Sequence, residues 1–111
     1  ELAAVDTAVG AVRGLHDGAA VGDAVQVRIG ADAVTIYKPD AAVDPDSTSA
    51  RNRLRGEVVG IGDGETVSTV EVAVGEVAFL ALITAESADR LGLDTGDGVA
   101  IRWKATATRL V

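Results

Sequence analysis

Three of the ten basic residues in this chain fall within five positions, in Ser49-Ala50-Arg51-Asn52-Arg53-Leu54-Arg55. Guanidinium groups offer forked donors with a permanent charge, and the hydroxyls of Ser47, Thr48 and Ser49 add hydrogen bonds, a combination suited to a small anion. The same arginines also suit a solvated strand start that pairs weakly with nearby aspartates. Thr84-Ala85-Glu86-Ser87 is a second candidate. At a helix start its free backbone N–H groups and two hydroxyls would face an anion, or Thr84 would serve as an ordinary N-cap. Lys104, one of only two lysines, is the third. It stands between two apolar segments as an anion ligand or as a plain surface cation.

Other chemistries are excluded. There is no cysteine, so thiolate nucleophiles, thiolate metal sites and disulfides are absent. His16 is the single histidine, which removes multi-histidine metal centres and undercuts a Ser-His-Asp arrangement. Gly60-Ile61-Gly62-Asp63-Gly64 leads into a strand with no lysine after it, so it is no nucleotide-phosphate loop. The remaining carboxylates read as solvating surface. No catalytic set emerges, and no free metal cation has ligands here.

These residues need a scaffold, and composition bounds it. A chain of 111 residues makes one small domain or two very small ones. Nearly half is apolar, mostly Ala and Val, with Tyr37, Phe79 and Trp103 as the only aromatics. A net charge of −7 opposes nucleic-acid binding through bulk electrostatics, and few aromatics leave no base-stacking platform. The acidic, Lys-poor balance resembles proteins of halophilic archaea. No apolar run reaches membrane-spanning length and no signal segment opens the chain, which reads as a cytoplasmic fragment of a longer protein without membrane contact.

Short β-branched runs separated by Gly and Asp predict strands over residues 2–8, 11–15, 24–29, 33–37, 54–61, 67–74, 77–83, 99–103 and 106–110. Val9-Gly10 marks a hairpin turn. Residues 84–91 predict a helix, with Thr84 as N-cap and Gly92 closing it. Residues 38–48 hold both prolines and Asp40, Asp44 and Asp46, and read as a linker. An internal repeat ties the ends together. Gly22–Ala33 matches Gly96–Ala107 at an offset of 74, and Val5–Val12 matches Val70–Val77 at an offset of 65. The first repeat lacks about nine residues where the second carries its helix. It also lacks a counterpart of residues 54–61, which would lie before Glu1.

The ordered set Ser49-Ala50-Arg51-Asn52-x-Leu54-x-Gly56-x-Val58, Ile83-Thr84-Ala85-Glu86-Ser87, Leu91-Gly92-Leu93, Gly96-Asp97 and Lys104-Ala105-Thr106 resembles the molybdate-binding Mop/TOBE family, the molbindins. The resemblance covers residues 49–111, and residues 1–37 resemble a shortened, N-terminally truncated second lobe. It implies an all-β fold of two OB-like small barrels in tandem, with one short helix in the second. It also implies a molybdate or tungstate dianion held where subunits of a homodimer or larger assembly meet, with no organic cofactor. Carried over residue by residue, Ser49, Arg51, Lys104 and the amide of Ala105 would come from one subunit, and Thr84 and Ser87 from another. Some relatives have serine where Ala105 stands, so only a backbone donor remains there. Two positive charges would then meet two negative ones among fixed donors, and a donor-only pocket disfavours protonated phosphate.

The domain order most resembles the effector half of a molybdate-responsive winged-helix transcription regulator of halophilic archaea, touching DNA only through an upstream module. The alternative is the C-terminal regulatory domain of an ABC oxyanion-importer ATPase. A generic OB-fold oligomerisation or ligand-binding module is a third reading. None of the three makes this segment an enzyme.

Overall fold

The structure is a computed structural model that describes residues 1–38 and 47–111. Both prolines and Asp40, Asp44 and Asp46 of the expected linker lie outside the described residues. In chain order the elements are β1 (Leu2–Thr7), β2 (Gly10–His16), β3 (Val27–Ile29), a 3₁₀ turn (Ala31–Ala33), β4 (Thr35–Tyr37), β5 (Asn52–Gly62), β6 (Val67–Val74), β7 (Val77–Thr84), α1 (Ala85–Leu91), β8 (Gly98–Trp103), a second 3₁₀ turn (Ala105–Ala107) and β9 (Thr108–Leu110).

Alternation explains the long strands. In β6, Ser68, Val70 and Val72 point inward and are buried, while Val67 and Glu71 face out. In β5, Leu54, Gly56 and Val58 share the inner face. Gly56 is required there, because a Cβ would come within 2.5 Å of the Ala73 carbonyl oxygen and 2.7 Å of Val72. A bulge between Val58 and Gly60 then bends β5, so its second half pairs with β6 in a shifted register. The α1 boundaries match the expectation. Thr84 Oγ1 accepts from the Ser87 N–H, and Gly92, at φ +60°, closes the last turn on Ala88 and Asp89.

The β1–β2 turn sits one residue earlier than Val9-Gly10 suggests. Ala8 and Val9 form it, with Gly10 opening β2 at φ +107°. Thr7 explains the shift: its hydroxyl accepts from the Val9 N–H and donates to the Gly10 carbonyl. Thr7↔Gly10 closes this hairpin and Val74↔Val77 closes β6–β7, so the two hairpins correspond at an offset of 67 rather than 65.

Two sheets result, with strand orders β1-β2-β9-β3 and β4-β8-β5-β6-β7. The expected mostly-β architecture with one short helix is present. The expected tandem barrels are not what the pairing shows: both sheets are open, and the repeats exchange strands. The 74-residue offset makes β3 the counterpart of β8 and β4 the counterpart of β9. Yet β4 pairs with β8, and β9 with β3. Ile36↔Ile101 and Val27↔Leu110 are equivalent pairs, and the Gln26–Val111 backbone bonds continue the second ladder as Tyr37↔Ala100 continues the first. The exchange is reciprocal and in one register.

A single apolar cluster follows from the exchange. Val12, Val34 and Ile36 join Val58, Val70, Val72, Ala81, Val99, Ile101 and Trp103 in it. Trp103, 1 % exposed, packs against Phe79 with ring centroids 5.5 Å apart. Among the described residues no helix is long and apolar enough to cross a membrane.

Candidate functional site

Asn52 anchors the first group of candidate residues. It is 4 % exposed, and its amide oxygen accepts from the Arg13 N–H at 2.7 Å. Its amide nitrogen donates to the Arg13 carbonyl at 2.8 Å, so one side chain clips β5 to β2. Asn52 opposes Trp103, the last residue of β8. Arg51 and Lys104 therefore leave adjacent strands at the same end of the sheet, with Ser49 two residues further out. The Lys104 carbonyl accepts from the Ala107 N–H and the Thr108 hydroxyl, which fixes its backbone. The Lys104 side chain is exposed, whereas Ala105, at the start of the 3₁₀ turn, is buried. Among the described residues this end of the sheet holds exposed cations above a firmly tied backbone.

Thr84 and Ser87 belong elsewhere. Thr84 pairs with Val67 at the start of β6, beyond the Gly62 end of β5 and opposite to the Asn52 end. Their hydroxyl oxygens are 2.8 Å apart and hydrogen-bonded to each other. They border a groove of about 450 Å³ shared with Asp32 and Thr35 of the first repeat. Glu86 does not oppose this group, since its carboxylate pairs with Arg90 at 2.9 Å. Within one chain, then, the fold gathers Arg51, Lys104 and Ala105, with Ser49 close in sequence, and leaves Thr84 and Ser87 at the other end.

The first repeat has the same backbone with different chemistry. Gly30 stands where Lys104 stands, with φ −70° and ψ 137° against −78° and 141°, and Ala31 stands where Ala105 does. Where the second repeat carries α1, the first has a short loop. There His16 Nδ1 accepts from the Ala19 N–H, and His16 Nε2 lies 3.5 Å from the Glu1 carboxylate. His16 is structural in this setting. Among the described residues no group of His, Cys, Asp or Glu could hold a metal ion.

Two residues went unremarked in the sequence. Asn52 lies inside the quoted motif, but its partner Arg13 is 39 positions away, and no local pattern signals that bond. Arg102 alternates like an outward strand residue yet is 6 % exposed, with its guanidinium carbon 4.5 Å from the Tyr37 ring centroid. Its Nε and one terminal nitrogen are buried without a hydrogen-bond partner. Burial comes from β4, which is delivered by the exchange.

The described residues thus form a small β fold with a cation-bearing sheet end and a separate hydroxyl pair. Residues 48–110 match the TOBE domain, and the chain belongs to that family. It is 33 % identical over 69 residues to the molybdate/tungstate import ATP-binding protein WtpC of Pyrococcus abyssi, covering 62 % of this chain and 20 % of that protein. The cytoplasmic molybdate-binding protein ModG, in a crystal form with molybdate bound, superposes with a TM-score of 0.71 at 26 % identity. That match covers 78 % of this chain and 60 % of ModG. A molybdate-binding protein from Sporomusa ovata gives a TM-score of 0.51 at 31 % identity, covering 52 % of this chain and 87 % of that one. The chain thus spans a fifth of the importer protein and 60 % of ModG.

Proposed function

We propose that this segment is a non-enzymatic, cytoplasmic binding module for molybdate or tungstate. In this reading Ser49, Arg51, Lys104 and the Ala105 amide of one chain meet Thr84 and Ser87 of a second copy. The supporting observation is the pairing of Asn52 with Trp103, from which Arg51 and Lys104 extend at one sheet end in a chain of net charge −7, within the segment that matches the TOBE domain. Two fixed cations compensate a dianion's lost hydration, and hydroxyl and amide donors suit an anion that carries no proton. The separation of the two groups along β5 is why one chain alone would offer half a pocket. The two-repeat division, residues 1–37 and 49–111 joined by 38–48, belongs to the same reading: the first repeat has Gly30 for Lys104 and no helix, so it builds no equivalent site.

For the larger protein, the similarity to an importer ATP-binding protein favours the regulatory domain of an oxyanion importer over the effector half of a transcription regulator. In either setting the anion would act by preferring one arrangement of copies over another.

Titration calorimetry with molybdate, tungstate, sulfate and phosphate in molar KCl tests the reading. Tight binding of the first two, at a stoichiometry tied to the oligomer, is the expected result. Silence for all four from a folded oligomer would overturn it and leave an OB-like oligomerisation module.

A further inference from the structure

Strand pairing puts a row of hydrogen-bond donors on the outer face of the second sheet. Ile36, Ile101 and Trp103 enter the core, so the alternate residues Thr35, Tyr37, Ala100 and Arg102 face the other way. On that face Arg102 has Thr35 directly opposite on β4 and Arg53 directly opposite on β5. Thr35 and Arg53 are exposed, whereas Arg102 is 6 % exposed, with Nε and one terminal nitrogen buried and unpartnered. Two guanidinium groups facing each other repel, and a buried charge with unmet donors costs more than an exposed one. Neither ion pair among the described residues, Glu1–His16 or Glu86–Arg90, involves this row. The first repeat supplies a contrast. Arg28, the counterpart of Arg102 at the offset of 74, also faces an arginine, Arg109. Both of these are exposed, and Arg28 reaches the Gln26 amide oxygen at 3.4 Å, so water and Gln26 satisfy it.

We infer that Thr35, Arg102 and Arg53 form a second anion subsite, complete within one chain, for a small inorganic oxyanion. Two guanidinium groups supply two positive charges, and the Thr35 hydroxyl adds a donor, which matches a dianion. An anion held there would meet the unpartnered donors of Arg102 and relieve its repulsion with Arg53. Tyr37 fits this arrangement. Its ring lies against the flat face of the guanidinium, with the carbon 4.5 Å from the ring centroid, and leaves the in-plane N–H groups to an anion. Entry needs only side-chain motion, because the residues on either side of Arg102 are exposed and Tyr37 is half-buried. The subsite uses neither Arg51 nor Lys104. It draws Thr35 and Tyr37 from the first repeat, and so depends on the exchange that brings β4 to β8.

The probe is sulfate, exchanged for chloride at constant ionic strength, with the intact 111-residue protein followed by NMR. The readouts are the arginine Nε–H signals and the Tyr37 ring signals. The Arg102 and Tyr37 signals should shift saturably, with a midpoint independent of protein concentration. Arg53→Gln, a change at an exposed position that should leave the fold intact, should raise that midpoint about fivefold or more. Lys104→Ala should move it by less than about twofold, and Arg28 should show no saturable shift. No saturable shift at Arg102 would overturn the inference. So would a midpoint that Arg53→Gln and Lys104→Ala move equally, or one that falls as protein concentration rises, since either would assign sulfate to the pocket shared between copies. That pocket is tested by molybdate calorimetry and Lys104→Ala, so failure of the subsite leaves it standing.

Discussion

The segments Val27–Tyr37 and Ile101–Val111 follow one plan, a strand, a 3₁₀ turn and a strand, with turn-opening dihedrals that agree within 8°. Each gives its last strand to the other's sheet in the same register. Their surroundings differ completely. Ile101 and Trp103 are sealed between β4, β5 and the inner faces of β6 and β7, whereas Val27 and Ile29 are half-buried beside a bare edge. Lys104 leaves β8 at the sheet end where Arg51 enters β5, while Gly30 stands next to Asp32, whose carboxylate oxygen would be 2.7 Å from any added Cβ. Closely similar backbones thus lead from a sealed strand to a lysine in one repeat and from a half-buried strand to a glycine in the other. Conformation is repeated, and what differs is which strands flank it.

The sharpest way to break this comparison is in the core. Trp103→Ala should cost about 3–5 kcal/mol by urea denaturation, against roughly 1 kcal/mol for Ile29→Ala at the equivalent, half-exposed position. Equal losses would mean that the two repeats are equally packed. Next, Lys104→Ala should weaken molybdate binding by roughly 2–5 kcal/mol in calorimetry, with the melting temperature nearly unchanged. Lys38→Ala should leave affinity intact, and equal effects from both would end the site assignment. Asn52→Ala removes both bonds to Arg13 and leaves partly buried backbone groups unpaired, so it should destabilise the fold by about 1–3 kcal/mol. The smallest effect belongs to Gly30→Lys. Its φ of −70° accepts any residue and the Asp32 side chain can swing aside, so stability should stay within about 0.5 kcal/mol. No new anion site should appear in the titration, because the Asp32 carboxylate beside the new side chain opposes an anion. A second binding equivalent in this variant would show that the backbone alone makes the site.

Much of this was legible along the chain because the signals are local. Alternation marked β5 to β8. Thr84 and Gly92 bracketed α1, since a cap needs only residues three or four positions apart. Both 3₁₀ turns run into the starts of strands expected at 33 and 106, for Ala31–Ala33 and Ala105–Ala107 carry no Gly or Pro to announce them. The Thr7 hydroxyl, not Gly10, decided the first hairpin, and that moved the repeat alignment by two residues.

The sequence by itself determined the repeat, the strand and helix inventory, the acidic character, and the residue types able to meet an oxyanion. Each rests on composition or on contacts within a few positions. Tertiary structure alone decided that β4 and β9 change places, that Arg102 is buried over Tyr37, and that Asn52 clips Arg13. It also brought Arg51 and Lys104, 53 positions apart, to the same end of the sheet, while holding Thr84 and Ser87 beyond the far end of β5. These depend on strand pairing between distant segments. Two strands of equal pattern, β4 and β9, could each complete either sheet, and only the packing of the whole chain selects between them.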